Sequence, residues 1–242
     1  MFGYANPARY RKISRPVFWI SAPAGAALLI AGLYLSLFAS PPDYQQSETV
    51  RIMYVHVPAA WMAMLIYASM ALAALFMLAG GHLLAGLYIR AAAPAGAAMT
   101  VACLITGALW GGPMWGAWWV WDARLTSVLI LFFIYLGIMA LGDAFDNPDQ
   151  GLSAASWLTL IGAVNLPVIK FSVDWWNTLH QKASLTSLER LADPAIAPAM
   201  MIPLLTMAGA FAMLFIALAV LRLDNELEAR RLLTAGMRSG DA

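Results

Sequence analysis

Apolar residues run along this chain in six long blocks, each close to the roughly 20 residues that a helix needs to cross about 30 Å of hydrocarbon. The blocks are Val17–Ala39, Pro58–Gly81, Ala92–Trp110, Leu125–Gly142, Leu152–Phe171 and Ala199–Leu221. The pattern predicts an all-α polytopic membrane protein: six transmembrane helices forming a single integral membrane domain over 1–242, with 222–242 as a tail. Arg9, Arg11, Lys12 and Arg15 precede the first block as they would in a signal peptide. Its apolar run exceeds the about 7–15 residues of a secretory core, so a retained anchor is expected. Pro58 suits the first turn of the second span, where its missing N–H is harmless. Pro167 and Pro203 are expected to kink or locally unwind the fifth and sixth spans. In the tail, Asp224, Glu226, Glu228, Arg230 and Arg231 alternate in sign, which predicts a short surface helix.

Composition agrees with the blocks. The 242 residues are 62% hydrophobic and 11% charged, against about 45–50% and about 25% in a soluble domain. That balance excludes a soluble enzyme and a disordered chain. A net charge of +1 supplies no basic patch for nucleic acid. Cys103 is the single cysteine, so no internal disulfide or Cys-x-x-Cys site is available. It reads as a small buried hydrophobe. No P-loop, His-Glu-x-x-His or Gly-x-Ser-x-Gly motif occurs, so any chemistry is expected on the outer face.

Lys and Arg set the sidedness. The N-terminal segment, the loop at Arg90 and the tail (Arg222, Arg230, Arg231, Arg238) carry nine; the opposite side carries Arg51, Arg124, Lys170, Lys182 and Arg190. Both termini are therefore expected in the cytoplasm, and the remaining connections on the opposite, outer side.

The outer connections hold the unusual residues. Trp110, Trp115, Trp118, Trp119 and Trp121 place five of the ten tryptophans within 12 residues. If Trp115–Asp122 is helical, then Trp115, Trp118, Trp119 and Asp122 share one stripe of an interfacial helix. Tryptophan belts at membrane interfaces are spread over many helix ends, whereas this cluster sits on one segment framed by Gly111, Gly112 and Gly116. It favours a stacking platform for a flat apolar ligand, with indole N–H groups free to meet its polar rim. His56 lies two residues before the second span, and His180 lies beyond the fifth, with Trp176 one helical turn before it. A histidine at a helix end is ordinarily a capping or hydrogen-bonding group; two of only three on the tryptophan side point to ligation. His82 falls on the other side without aromatic company.

Two neutral imidazoles beside an aromatic slab suit haem. Arg51 and Arg124 are candidates for its propionates, with Lys182 or Arg190 weaker ones; simple interfacial snorkelling is the other reading of both arginines. Asp122 stands where an N-cap of the fourth span is expected and within reach of Arg124. Zinc fits less well, because the outer face offers no further His or Cys.

The segment from Trp115 to Thr126 resembles the tryptophan-rich "WWD" signature of the haem-handling proteins of cytochrome c biogenesis, and Met53–Trp61 resembles their histidine segment. Over essentially the whole chain the sequence resembles the CcmC-type (haem exporter protein C) branch; larger WWD relatives act as haem ligases on longer chains. The resemblance implies a protein that holds haem b at the outer face of the inner membrane and passes it to the chaperone CcmE. Its partners would be CcmD and the ABC-type subunits CcmA and CcmB, which would supply any ATP hydrolysis. His56 and His180 become the axial ligands of the iron. Trp115, Trp118, Trp119, Trp121 and Asp122 become the platform for haem and chaperone. A protein that moves haem across the bilayer itself, or a ligase-like WWD protein, is the alternative.

Overall fold

The computed structural model describes residues 7–180 and 196–240. Helix α1 runs Pro7–Tyr34 and ends in a π-helical turn, Leu35–Ala39; after an irregular loop a 3-10 turn, Glu48–Ile52, leads into α2, Met53–Gly80. Then follow α3 (Leu83–Trp115), α4 (Ala123–Asp143), α5 (Pro148–Gly162), α6 (Asn165–Trp175) and α7 (Pro198–Gly240). Six stretches are long and apolar enough to cross a membrane, α5 and α6 together making the fifth.

The bundle is centred on α2 and α3, flanked by α4 and α5, with α7 against both and α1 packed on α7. Lipid tails are as apolar as leucine, so close approach rather than hydrophobic expulsion holds such helices together. Small residues accordingly fill the contacts: Ala59, Ala63 and Ala74 of α2 and Ala91, Ala92 and Ala93 of α3 are buried. Between them sit Ile66, Tyr67 and Met70, Leu131, Tyr135 and Ile138. The buried tyrosine hydroxyls are satisfied by neighbouring helices: Tyr135 donates to the Ala63 carbonyl at 2.7 Å and Tyr67 to the Thr159 carbonyl at 3.0 Å. Large side chains such as Ile30, Phe38, Leu65, Phe76 and Ile161 point outward, as they should in a hydrocarbon solvent.

Helix ends depart from the hydropathy blocks. α2 begins at Met53, five residues before Pro58, so His56 lies in its first turn instead of outside the span. Pro58 is an interior residue of α2. Pro167 does break its helix: the ring of a proline collides with the carbonyl four residues back, here Ala163, and the chain turns at 163–164 before restarting at Asn165. Pro203 leaves α7 unbroken. The tail is no separate surface helix, because α7 continues through it to Gly240. Ion pairs explain the extension: Glu226 meets Arg90 at 3.0 Å, Glu228 meets Arg11 at 2.6 Å, and Arg230 pairs with Asp149. Each anchors the extension to a different part of the bundle.

Candidate functional site

The N-termini of α2 and α4 and the C-termini of α3 and α6 meet at one end of the bundle, and the chemistry-bearing residues lie there. α3 stops at Trp115 because Gly116 adopts the left-handed conformation (φ 71°) and its N–H closes on the Gly112 carbonyl at 3.0 Å, a helix stop that favours glycine. α4 starts at Ala123 because Asp122 caps it, accepting the Leu125 N–H at 2.7 Å. Between these two signals, 117–122 is an irregular loop. The helical stripe expected for Trp115–Asp122 is therefore absent, and its indoles fan out instead. Trp115 stays on the end of α3; Trp119 stands edge-on to Trp121 with ring centroids 5.4 Å apart. Trp118 and Trp121 are 65% and 76% exposed, which makes them accessible to a partner. Trp119 is the opposite: its Nε1 is buried and has no hydrogen-bond partner among the described residues.

His56 is nearly buried between α2 and α3. Its Nδ1 lies 3.1 Å from both the Cys103 carbonyl and the Thr106 hydroxyl. Because Thr106 donates its own proton to the Ala102 carbonyl at 2.6 Å, both groups accept from His56, and the proton belongs on Nδ1. Gly107 makes this approach possible: a Cβ there would stand 3.0 Å from His56 Cε1. Trp110 packs edge-on to the ring at 5.7 Å and donates its indole N–H to Gln46 at 2.9 Å, tying the first outer loop to the histidine.

His180 is held from the other side. Its Nδ1 lies 3.1 Å from Asp122 Oδ2, and Trp115 packs edge-on to its ring at 5.0 Å. The backbone N–H of His180 donates to the Thr178 hydroxyl at 3.1 Å, turning the chain back toward α4. Burial pushes its imidazole below the ordinary 6.5, while the Asp122 carboxylate opposes that shift. Both histidines thus have the proton engaged at Nδ1 and a lone pair at Nε2, the tautomer of a metal-ligating imidazole.

The structure places Trp176 differently from expectation. α6 ends at Trp175, and Trp176 is extended (φ −132°, ψ 155°), so it is not a helical turn before His180. It stands edge-on to Trp175 at 5.7 Å and is 51% exposed. Arg124 donates to Ser172 Oγ at 3.3 Å and to the Ile169 and Lys170 carbonyls at 3.4 Å, which ties the start of α4 to α6, and it makes no direct bond to Asp122. Arg51 donates to Glu48 at 2.5 Å and to the Ser36 carbonyl at 2.7 Å, bracing the turns on either side of the first outer loop. Lys182 and Arg190 lie outside the described residues. Sequence reasoning left out Gly107 and Gln46, took Thr106 only for a hydrogen bond between helices, and took Cys103 for packing alone. Cys103 is indeed buried, but its carbonyl also serves His56. The available signal was a Thr-Gly pair one turn before Trp110 in an otherwise apolar helix.

A helical membrane protein with paired histidines in a tryptophan-lined site at one end is the class that this fold and site define. The chain belongs to the CcmC family: the family model described as Heme exporter protein C matches residues 1–238. It is 52% identical over 228 residues to Heme exporter protein C of Bradyrhizobium diazoefficiens, covering 94% of this chain and 85% of that one. It is 47% identical over 224 residues to Heme exporter protein C of Haemophilus influenzae, covering 93% and 90%. A putative cytochrome c biosynthesis ccmC-like mitochondrial protein of Marchantia polymorpha is 44% identical over 211 residues, covering 84% and 88%.

Proposed function

We propose that this protein handles haem during cytochrome c biogenesis, holding haem b at the outer face of a bacterial inner membrane and delivering it to the chaperone CcmE. His56 and His180 are the axial ligands. The observation that carries this reading is the pair of anchored imidazoles, each with Nδ1 engaged and with no hydrogen bond at Nε2 among the described residues. Haem supplies an iron that accepts two such nitrogens and a flat apolar ring. The residues fit it in a second respect, since the orphaned Trp119 N–H wants an acceptor and a propionate is one. Arg124 and Arg51 bring positive charge to the same end and are the proposed electrostatic partners of the propionates. Trp115 holds His180 in place, and Trp118, Trp121 and Trp176 form the exposed rim at which a partner protein meets the cargo.

The protein acts as a carrier and catalyses no reaction of its own. Two imidazoles on the iron leave no open position for oxygen chemistry. CcmD, CcmA and CcmB are the proposed neighbours, with ATP hydrolysis confined to the ABC-type pair. Passage of haem through this chain's own spans is the less supported reading. Thr100, Thr106 and Thr159 bond within their helices at 2.6–2.8 Å, and Asn165 bonds the Ser127 carbonyl at 2.8 Å.

The test is reconstitution with haem after replacing His56, His180 or both with Ala. Each single variant should lose the low-spin bis-histidine spectrum and fail to load the chaperone. A double variant with unchanged haem content and spectrum would sink the assignment.

A further inference from the structure

The two imidazoles of the site are held by different chemistry. His180 gives its Nδ1 proton to a carboxylate, Asp122 Oδ2, at 3.1 Å. His56 gives its own to neutral acceptors, the Cys103 carbonyl and the Thr106 hydroxyl, each at 3.1 Å. We propose that Asp122 is a positioning residue that makes the two iron-binding positions unequal, with His180 the stronger nitrogen donor. The proposal rests on the haem site argued above.

The physical reason is polarisation through the ring. An acceptor at Nδ1 draws the proton outward and raises electron density at Nε2; a carboxylate does so more than a carbonyl. The pair is poorly screened, because the side chains of Asp122 and His180 are only 8% and 17% exposed. Geometry reinforces the effect. Asp122 uses its two oxygens for two partners, Oδ1 for the Leu125 N–H and Oδ2 for His180, so the ring is aimed by the end of a helix. Two residues on, Arg124 grips the end of α6 through Ser172, Ile169 and Lys170. One turn of α4 therefore holds the chain from 172 to 180 at both ends. The Asp-x-Arg spacing after the tryptophans thereby acquires a purpose that capping alone does not give it.

Asp122→Asn separates the two roles. Asparagine caps a helix about as well as aspartate but carries no charge to polarise His180. The full-length purified chain, titrated with ferric haem, should melt as the wild type does, bind haem roughly 10–100-fold more weakly, the range for such supporting residues, and show a raised reduction potential. Thr106→Val leaves His56 the Cys103 carbonyl as acceptor, and it should change affinity far less. In a His180→Ala background, Asp122→Asn should have no further effect on affinity or potential. Wild-type affinity and potential in Asp122→Asn would overturn the proposal. So would a Thr106→Val loss equal to that of Asp122→Asn, a lowered melting temperature with unchanged potential, or a full additional loss in the His180→Ala background. A wild-type spectrum for His180→Ala alone would instead remove the haem site itself, and this proposal with it.

Discussion

Gly107 shows how much a single hydrogen atom decides at the residue scale. Alanine in a helix interior is ordinarily about 0.5–1 kcal/mol more stable than glycine. Here its Cβ would sit 3.0 Å from His56 Cε1 and 3.5 Å from Nδ1, so the ring must give by a few tenths of an ångström and its aim is altered. Gly107→Ala should therefore leave the melting temperature unchanged or higher, while haem affinity falls about tenfold, as for loss of a supporting contact; equal affinity would show that the ring has room to spare. Protonation acts on the same geometry. His180 binds metal only as the neutral imidazole, and burial lowers its pKa from 6.5, so the neutral form persists as pH falls through the ordinary imidazole range. Haem retention followed optically should be flat from neutral pH down through 6.5 and fall only below it, because the proton and the iron compete for the same lone pair. A midpoint above 6.5 would contradict the burial of this ring.

At the scale of elements, Gly116 and Asp122 decide what the tryptophan segment becomes. Gly116 is left-handed at φ 71°, and a Cβ added there would meet nothing within 4 Å, so the obstacle to a side chain is conformational and not steric crowding. An L-residue in that conformation costs roughly 1–2 kcal/mol. Gly116→Ala should lower stability by about 1 kcal/mol in a thermal melt, and weaken haem binding by altering the path of Trp118 and Trp119. This is also where sequence reading and structure part. The spacing of Trp115, Trp118, Trp119 and Asp122 matches a helical stripe, but a glycine stop and an aspartate start bracket the segment, and backbone hydrogen bonding follows those signals rather than side-chain periodicity. The cores of the six spans were legible because apolar composition alone dictates them. Their ends were not. His56 looks polar and so seems to lie outside α2, whereas two acceptors on α3 bring it within the helix. The charged tail looks like a separate surface piece, whereas partners on α1, α3 and α5 hold it in line with α7. Pro167 was legible because its ring acts on its own helix, at Ala163, and needs no tertiary partner.

For the whole molecule, the two ends of the bundle differ in kind. One end collects His56, His180 and the tryptophans from Trp110 to Trp121. The other joins its elements by ion pairs, with Arg90 as the hub: it contacts Asp143 at 2.5 Å, Glu226 at 3.0 Å and the Gly142 carbonyl at 3.1 Å. Arg90 is 36% exposed on its side chain, so screening limits each pair to about 0–1 kcal/mol, and this network sets alignment more than stability. Orientation is the larger consequence. Topology responds to Lys and Arg near span ends and little to acids, so the ion pairs do not cancel the excess of cations that the sequence assigns to this side. An even number of spans puts both termini on that side. A reporter fused after Ala242 should therefore be active in the cytoplasm, and one inserted at Tyr44, 91% exposed in the first loop of the aromatic end, should be active outside. The opposite pair of results would turn the histidines toward the cytoplasm. Haem could then not be handed over at the outer face, and the carrier reading would fall whatever the ligands of the iron proved to be.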